Sequence, residues 1–324
     1  MQQKKRLRVG FLLARNFTLS AFSLFVDTLR LASDEQDFSG RKYLDWDVLS
    51  DESQLIKSSC GVFVAPTARL NPRESYDFLV VVGGRLNIDE PLSAAQIEYV
   101  RQFGSKSGTI IALCTASFIL ADAGMLGGKL ACVSWLHRHE FQMRHPDITA
   151  VSDRLFVRSG NIFTCAGGTA AADLAADLVE KHLGGQLASK ATQILQIERR
   201  RSGADFQARI VIGQFVPKDS RVRQAIQIME QFVDARWDVE WLASRLCITR
   251  RHLERLFKQE YGTGPRSIFK RIRMEQAKVL LVNTEQPISQ IAFDLGYDTQ
   301  SQFSRQFRAQ FGTTPTVVRS AARP

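Results

Sequence analysis

Cysteine is scarce in these 324 residues: five, at Cys60, Cys114, Cys132, Cys165 and Cys247. Their number is odd, their spacing is scattered and no C-x-x-C pair occurs. Neither a disulfide framework nor a zinc ribbon is therefore expected. Long apolar runs are also missing. The most apolar window, Thr109 to Leu126, holds Asp122 and Gly124 and starts like a strand, which argues against a membrane span. The opening Met1-Gln-Gln-Lys-Lys-Arg-Leu-Arg is basic, but Arg15 breaks the apolar stretch behind it, so no signal peptide is expected and a reducing cytoplasm fits. With 44% hydrophobic and 23% charged residues, wholesale disorder is excluded. The length suits two domains, each large enough to bury a core without staples.

What is present is charge, unevenly placed. Residues 1–185 carry 20 Lys+Arg against 20 Asp+Glu, residues 186–217 carry 5 against 2, and residues 218–324 carry 18 against 11. All of the net +10 thus lies behind residue 185. A neutral front and a basic back imply two jobs, the second facing a polyanion. The expected division is a domain at 1–185, a linker at 186–217 and a second domain at 218–324.

The front alternates strand and helix. Arg8–Ala14, Tyr43–Ser50, the run Phe78-Leu-Val-Val-Val-Gly-Gly84, Thr109–Cys114 and Asn161–Cys165 read as strands. Thr18–Ala32, with Thr18 or Ser20 as N-cap, Ser93–Phe103, Thr115–Ala123 and Thr169–His182 read as helices. This pattern predicts a doubly wound, flavodoxin-like α/β domain with a parallel sheet, which binds ligands at the carboxyl ends of its strands. Cys114 falls where strand turns to helix. Free N–H groups and the helix dipole there are expected to lower its pKa, making it a nucleophile or a ligand contact; the plain alternative is an inert buried thiol. Gly83, Gly84, Thr115, Ser134 and Trp135 complete the expected ligand-binding set around Cys114. Phe11, Phe17 and Trp135 are further candidates, either to cradle a cation or simply as core.

The segments Ala112-Leu-Cys-Thr-Ala-Ser-Phe-Ile-Leu-Ala-Asp-Ala-Gly-Met-Leu-Gly-Gly128, Trp135 and Phe163-Thr-Cys-Ala-Gly-Gly-Thr-Ala-Ala-Ala-Asp173 resemble the PfpI/ThiJ-like branch of the class I glutamine amidotransferase-like fold, over about residues 6–185. The resemblance implies, for catalytic members, a glutamate early in the first helix and a histidine just before Trp135. Here those positions hold Ala21 and Ser134, and Ala116 replaces a common glycine. A thiol without a base or an orienting acid is a poor nucleophile, so no catalytic residue is assigned and a binding pocket is expected. His137 and His139 are the nearby substitutes. A cysteine hydrolase or glyoxalase-type enzyme is the competing class.

The back half contains an internal repeat. At an offset of 50, Thr249, Arg255, Phe257, Lys258, Gly262, Thr263 and Pro265 meet Thr299, Arg305, Phe307, Arg308, Gly312, Thr313 and Pro315; at 49, Ala243 and Leu246 meet Ala292 and Leu295. Each copy reads as a helix-turn-helix with one extra turn residue in one of them. The first has Leu242, Ala243 and Leu246 on its support helix, Cys247-Ile248 as turn and Thr249 as cap. Its second helix turns Leu253, Leu256 and Phe257 inward and Arg250, Arg251, Glu254, Arg255 and Lys258 outward. The second copy uses Ile288, Ile291, Ala292 and Leu295, then Gly296 as turn and Asp298 or Thr299 as cap. It sends Phe303 and Phe307 inward and Gln300, Ser301, Ser304, Arg305 and Arg308 outward. Arginine and glutamine read guanine and adenine edges bidentately, so these ten residues are the expected DNA contacts. Between the copies, Pro265–Val282 predicts a helix about 27 Å long, able to hold two recognition helices about one DNA turn apart. Val222, Ala225, Ile226, Met229, Phe232 and Val233 form a covering helix upstream.

Ile291-Ala-x-x-x-Gly-Tyr297-x5-Phe303-Ser-Arg-x-Phe307-Arg…Gly312-Thr-Thr-Pro315 resembles the AraC/XylS family of transcription regulators, over about residues 218–324, with Val318 where a tyrosine is usual. A PfpI-like front on such a back is similar to a subgroup of regulators that sense small metabolites, often amino acids or quaternary amines. The resemblance implies an all-α C-terminal domain, activation more often than repression, and double-stranded promoter DNA, a small-molecule effector, a second copy (homodimer) and RNA polymerase as partners. No membrane partner, cofactor or metal is expected. A non-specific architectural DNA binder is the remaining alternative. Leu187, Ala191, Ile194 and Leu195 suit one helix, either a dimer contact or the last helix of the front domain. Arg199-Arg-Arg201 is read as a phosphate contact or as solvated charge.

Overall fold

Period-two burial along the strands sets the front unit. Val9, Phe11 and Leu13 join Phe78, Val80 and Val82 in one apolar layer, while Leu12, Leu79, Val81, Ile110 and Ala112 enter another. A sheet apolar on both faces must be covered on both, which is the doubly wound solution. The computed structural model describes residues 6–35, 38–207, 217–235 and 237–321. The front elements are β1 (Leu7–Leu13), α1 (Leu19–Ser33), β2 (Leu44–Ser50), β3 (Ile56–Lys57), β4 (Phe63–Val64), β5 (Ala68–Arg69), β6 (Phe78–Val82), α2 (Ala94–Ser105), β7 (Thr109–Leu113), α3 (Ala116–Asp122), β8 (Leu130–Cys132), α4 (Arg138–Arg144), β9 (Thr149–Val151), β10 (Phe156–Ser159), β11 (Ile162–Cys165), α5 (Ala170–Leu183) and α6 (Gly185–Ile194). One seven-stranded sheet runs β10-β11-β7-β6-β1-β2-β5. All its pairs are parallel except β10–β11. The chain leaves β1 for β2 on one side and returns to β6 on the other. The carboxyl ends of β1 and β6 therefore form the switch point, with the end of β7 beside them.

The chain divides into two units, Met1–Gln207 and Ala208–Pro324. Residues 186–207, read from sequence as linker, are folded into the front unit. α6 packs on α1 and α5, burying Ala188, Ala191 and Thr192. The basic triplet behind it is consumed in ion pairs: Arg199 with Asp205 at 3.2 Å, Arg200 with Glu180, and Arg201 with Asp173 at 2.6 Å. Asp173 is only 1% exposed, and a buried carboxylate needs a partner. That need, invisible in the linear sequence, draws Arg201 back onto the front unit. Residues 208–216 lie outside the described residues.

The rear unit comprises α7 (Ser220–Gln231), α8 (Val239–Arg245), α9 (Arg250–Tyr261), α10 (Pro265–Asn283), α11 (Ile288–Asp294), α12 (Gln300–Phe311) and α13 (Pro315–Ala321). α7 buries Val222, Ala225, Ile226 and Met229. The 19 residues of α10 make a rod of about 28 Å, and it packs on α7, α9, α11, α12 and α13. Arg273, near its middle, donates to the carbonyls of Val233 (2.8 Å) and Ala235 (3.0 Å) and stacks on Phe269.

Candidate nucleic-acid interface and sensor site

The internal repeat is a structural repeat. α8–α9 and α11–α12 each pair a seven-residue helix with a twelve-residue one. Both turns pass through the left-handed region, at Cys247 (φ 53°) and Gly296 (φ 75°). Each is closed by a bond back into the support helix, Ile248 N–H to Ala243 O at 3.1 Å and Tyr297 N–H to Ala292 O at 3.0 Å. The extra residue is Asp298, which follows Tyr297. Thr249 and Thr299 then cap the long helices by accepting from the N–H groups of His252 and Gln302. Gly262 and Gly312 end them. Leu253, Leu256 and Phe257 in one, and Phe303 and Phe307 in the other, are buried.

The opposite faces are the outward ones. Arg251, Arg255 and Lys258 on α9, and Gln300, Ser301, Arg305 and Arg308 on α12, are exposed, while Ser304 is half-buried. Arg251, Arg255, Arg305 and Arg308 have no ion-pair partner among the described residues. Arg250 differs: it is held by Glu240 at 2.7 Å and by Glu254 at 2.8 Å. It and Glu254 must break that pair to reach a base. Unpaired guanidinium groups on a helix shaped to enter a major groove are suited to phosphates and guanine edges.

At the front, Cys114 occupies a strained elbow, with φ 59° and its N–H bonded to Cys165 O at 3.1 Å. Thr18 stands at the head of α1, but its hydroxyl caps nothing; it lies 3.3 Å from Cys114 Sγ. No histidine or carboxylate among the described residues bonds the sulfur. Burial pushes the thiol pKa up, outweighing the bonds from Thr18 and the Thr115 N–H. The expected lowering by the helix end does not occur, because desolvation of the thiolate dominates here. Ala21 is fully buried and Ser134 half-buried at the positions of the missing partners. Burial lowers the pKa of His137, partly offset by Glu140, and it lies edge-on to Phe118. The His139 side chain lies outside the described residues.

Gly83 and Gly84 hold the elbow together. A Cβ on Gly84 would lie 1.8 Å from Asn16 O, and one on Gly83 2.2 Å from Ala116 N. Gly83 bonds Leu113 O and receives Thr18 N–H, while Gly84 O accepts the Thr115 hydroxyl at 2.7 Å. These backbone groups are thus spent within the protein. Phe11 and Phe17 are core, fully buried. Trp135 is half-buried, and its backbone N–H donates to Gln207 Oε1 at 2.9 Å. Gln207 in turn donates to Val133 O (2.8 Å) and Arg154 O (2.9 Å). Sequence reasoning missed Thr18 as the thiol's partner and Gln207 as the clasp that ends the front unit. An uncharged side chain bonding across 72 residues carries no local signal.

A doubly wound sheet domain followed by two helix-turn-helix units is the build of a DNA-binding transcriptional regulator. Residues 8–181 match the DJ-1/PfpI family and residues 242–321 a helix-turn-helix domain. The HTH-type transcriptional regulator CdhR of Pseudomonas aeruginosa is 32% identical over 313 residues, covering 96% of this chain and 90% of that protein. The arabinose operon regulatory protein of Escherichia coli is 35% identical over 105 residues, 32% of this chain and 36% of that one. The front fold is similar to the crystal structure of Drosophila melanogaster DJ-1beta, with TM-score 0.50 and 22% identity over 60% of this chain and 100% of that one. The chain belongs to the DJ-1/PfpI family through its front unit and carries an AraC-type helix-turn-helix domain behind it. Among the described residues no helix is long and apolar enough to cross a membrane.

Proposed function

We propose that this regulator is a metabolite-responsive activator, working in the cytoplasm as a homodimer on double-stranded promoter DNA and assisting RNA polymerase there. The front unit senses and does not catalyse. The elbow residues Cys114 and Thr115, with Ser134 and Trp135, form its responsive wall, and Gly83 and Gly84 brace that wall. The effector is a small molecule of the amino-acid or quaternary-amine kind. One observation carries the reading. Two equivalent, exposed recognition helices bear unpaired arginines, in the same chain as an elbow thiol whose neighbour is a hydroxyl instead of a base. The test is transcription from a promoter selected by the protein, in a purified system with the polymerase. Wild type should raise transcript on effector addition, and the Arg255→Ala/Arg305→Ala double variant should not. Equal transcription by both would refute it.

A further inference from the structure

This inference rests on the reading of α9 as a DNA-contacting helix and names what its first turn recognises. Arg250 sits between two carboxylates. Its Nη1 donates to Glu240 Oε1 at 2.7 Å and its Nε to Glu254 Oε1 at 2.8 Å. Glu240 comes from the support helix α8, so the three residues tie α8 to the outward face of α9. Glu240 and Arg250 are exposed and Glu254 is half-buried. Arg250 Nη2 and Glu254 Oε2 have no bond among the described residues. The second copy is an internal control. In the register of the repeat, Glu240, Arg250 and Glu254 meet Ser289, Gln300 and Ser304, three neutral side chains. That copy keeps the threonine cap, the turn bond and the left-handed glycine end without them. The helix-turn-helix fold therefore does not require the charged triad.

Two of the triad's three charges are negative, on a face read as meeting phosphates. Each carboxylate there weakens binding to DNA at large, so its use lies in choosing among sequences. In the major groove guanine offers two acceptors and thymine one, and these repel a carboxylate. Adenine sets its N6 amino group beside the acceptor N7, whereas cytosine offers an amino donor alone. An exposed ion pair costs little to exchange, so a well-placed amino group can take the place of Arg250 on Glu254. We propose that Glu254 reads cytosine in the first DNA element and that Glu240 is a positioning residue, which keeps Arg250 off the phosphates. On a duplex with that cytosine, Glu254 trades Arg250 for the base while Glu240 retains the guanidinium, and no charge is left unpaired. On any other duplex both carboxylates hold Arg250, and this turn of α9 adds little to binding.

The test uses the full chain and a duplex that it enriches from a randomised pool. Each position is changed in turn to the other three bases, and binding is read by fluorescence anisotropy at fixed salt. One position should prefer cytosine about tenfold or more over every other base. Glu254→Gln should move that preference to adenine, whose N7 and N6 an amide matches. Glu240→Gln should leave the cytosine duplex within about twofold and tighten the other three about threefold or more, as Arg250 turns to phosphate. Ser304→Ala, at the matching place in α12, should leave the cytosine position unchanged. A uniform gain on all four bases in Glu240→Gln is plain charge removal and overturns the role given to Glu240. A cytosine preference that survives Glu254→Gln, or an enriched duplex without such a position, overturns the reading of Glu254 and leaves the regulator reading standing. No enriched duplex at all overturns both.

Discussion

Arg201→Ala should destabilise the front unit although it lies in a segment that reads as linker. Asp173 is 1% exposed and takes three bonds from Arg201: the backbone N–H at 2.9 Å, Nε at 2.9 Å and Nη2 at 2.6 Å. The guanidinium also donates to the Thr169 hydroxyl at 2.8 Å. Alanine keeps the backbone bond and removes the rest. Stripping one member from a buried pair costs about 3–5 kcal/mol. The retained N–H and the 27% exposure of the Arg201 side chain reduce this to about 2–3 kcal/mol, since water solvates part of the orphaned carboxylate. For a unit of this size that is a fall of about 5–10 °C in melting temperature. Thermal denaturation followed by circular dichroism measures it. Arg201→Ala/Asp173→Leu should recover most of the loss, because no buried charge remains. A shift under about 1 °C in the single variant would mean that residues 195–207 do not dock as described, and the boundary at 207 would fall with it.

Other consequences follow from the same geometry. Arg255→Ala or Arg305→Ala should each cost about 1–3 kcal/mol at a selected DNA site at fixed salt, and unchanged affinity in both would remove those arginines from the interface. Gly84→Ala should abolish soluble expression or cost about 3 kcal/mol or more, because its Cβ meets the backbone oxygen of Asn16 at 1.8 Å and backbone cannot swing aside; a melting curve like wild type would contradict this. At pH 7 iodoacetamide should modify Cys60 before Cys114: Cys60 is exposed and its pKa is lowered by Ser58, whereas burial raises that of Cys114. Mass spectrometry of the labelled peptides decides the order. Asp219 caps α7 and is held down to about 2 by Arg221. A carboxylate with a depressed folded pKa stabilises above its ordinary value of 3.8 and loses that contribution as pH falls toward 2. Asp219→Ala should therefore cost about 1 kcal/mol at pH 6 and much less near pH 2, and a pH-independent difference would refute the pairing.

Most of the architecture was legible because it is periodic. The continuous apolar run Phe78–Val82 could only be a strand covered on both faces, and the Thr…Gly-x-x-Pro frame at 249–265 and 299–315 marked cap, helix, C-cap and next helix twice. The outward faces of α9 and α12 followed from that frame. What stayed hidden depended on contacts across the chain. Arg199–Arg201 looks like a solvated basic run until Asp173 is placed beneath it. Thr18 looks like a helix cap until β7 brings Cys114 to its hydroxyl. The direction of the thiol shift was misjudged because helix-end polarity is visible in sequence and desolvation is not. Short pieces such as β3, β4, β5, β8 and β9 run only two or three residues, too few for periodicity to register.

The central claim is that two like reading heads engage one duplex in a sequence-dependent manner. Selection from randomised duplexes, followed by titration of the enriched sequence against scrambled DNA at 150 mM salt, tests it most directly. The account predicts an enriched site with two short elements about 10 base pairs apart and at least a thousandfold preference over scrambled DNA. No enrichment, or near-equal affinity for both, would contradict it.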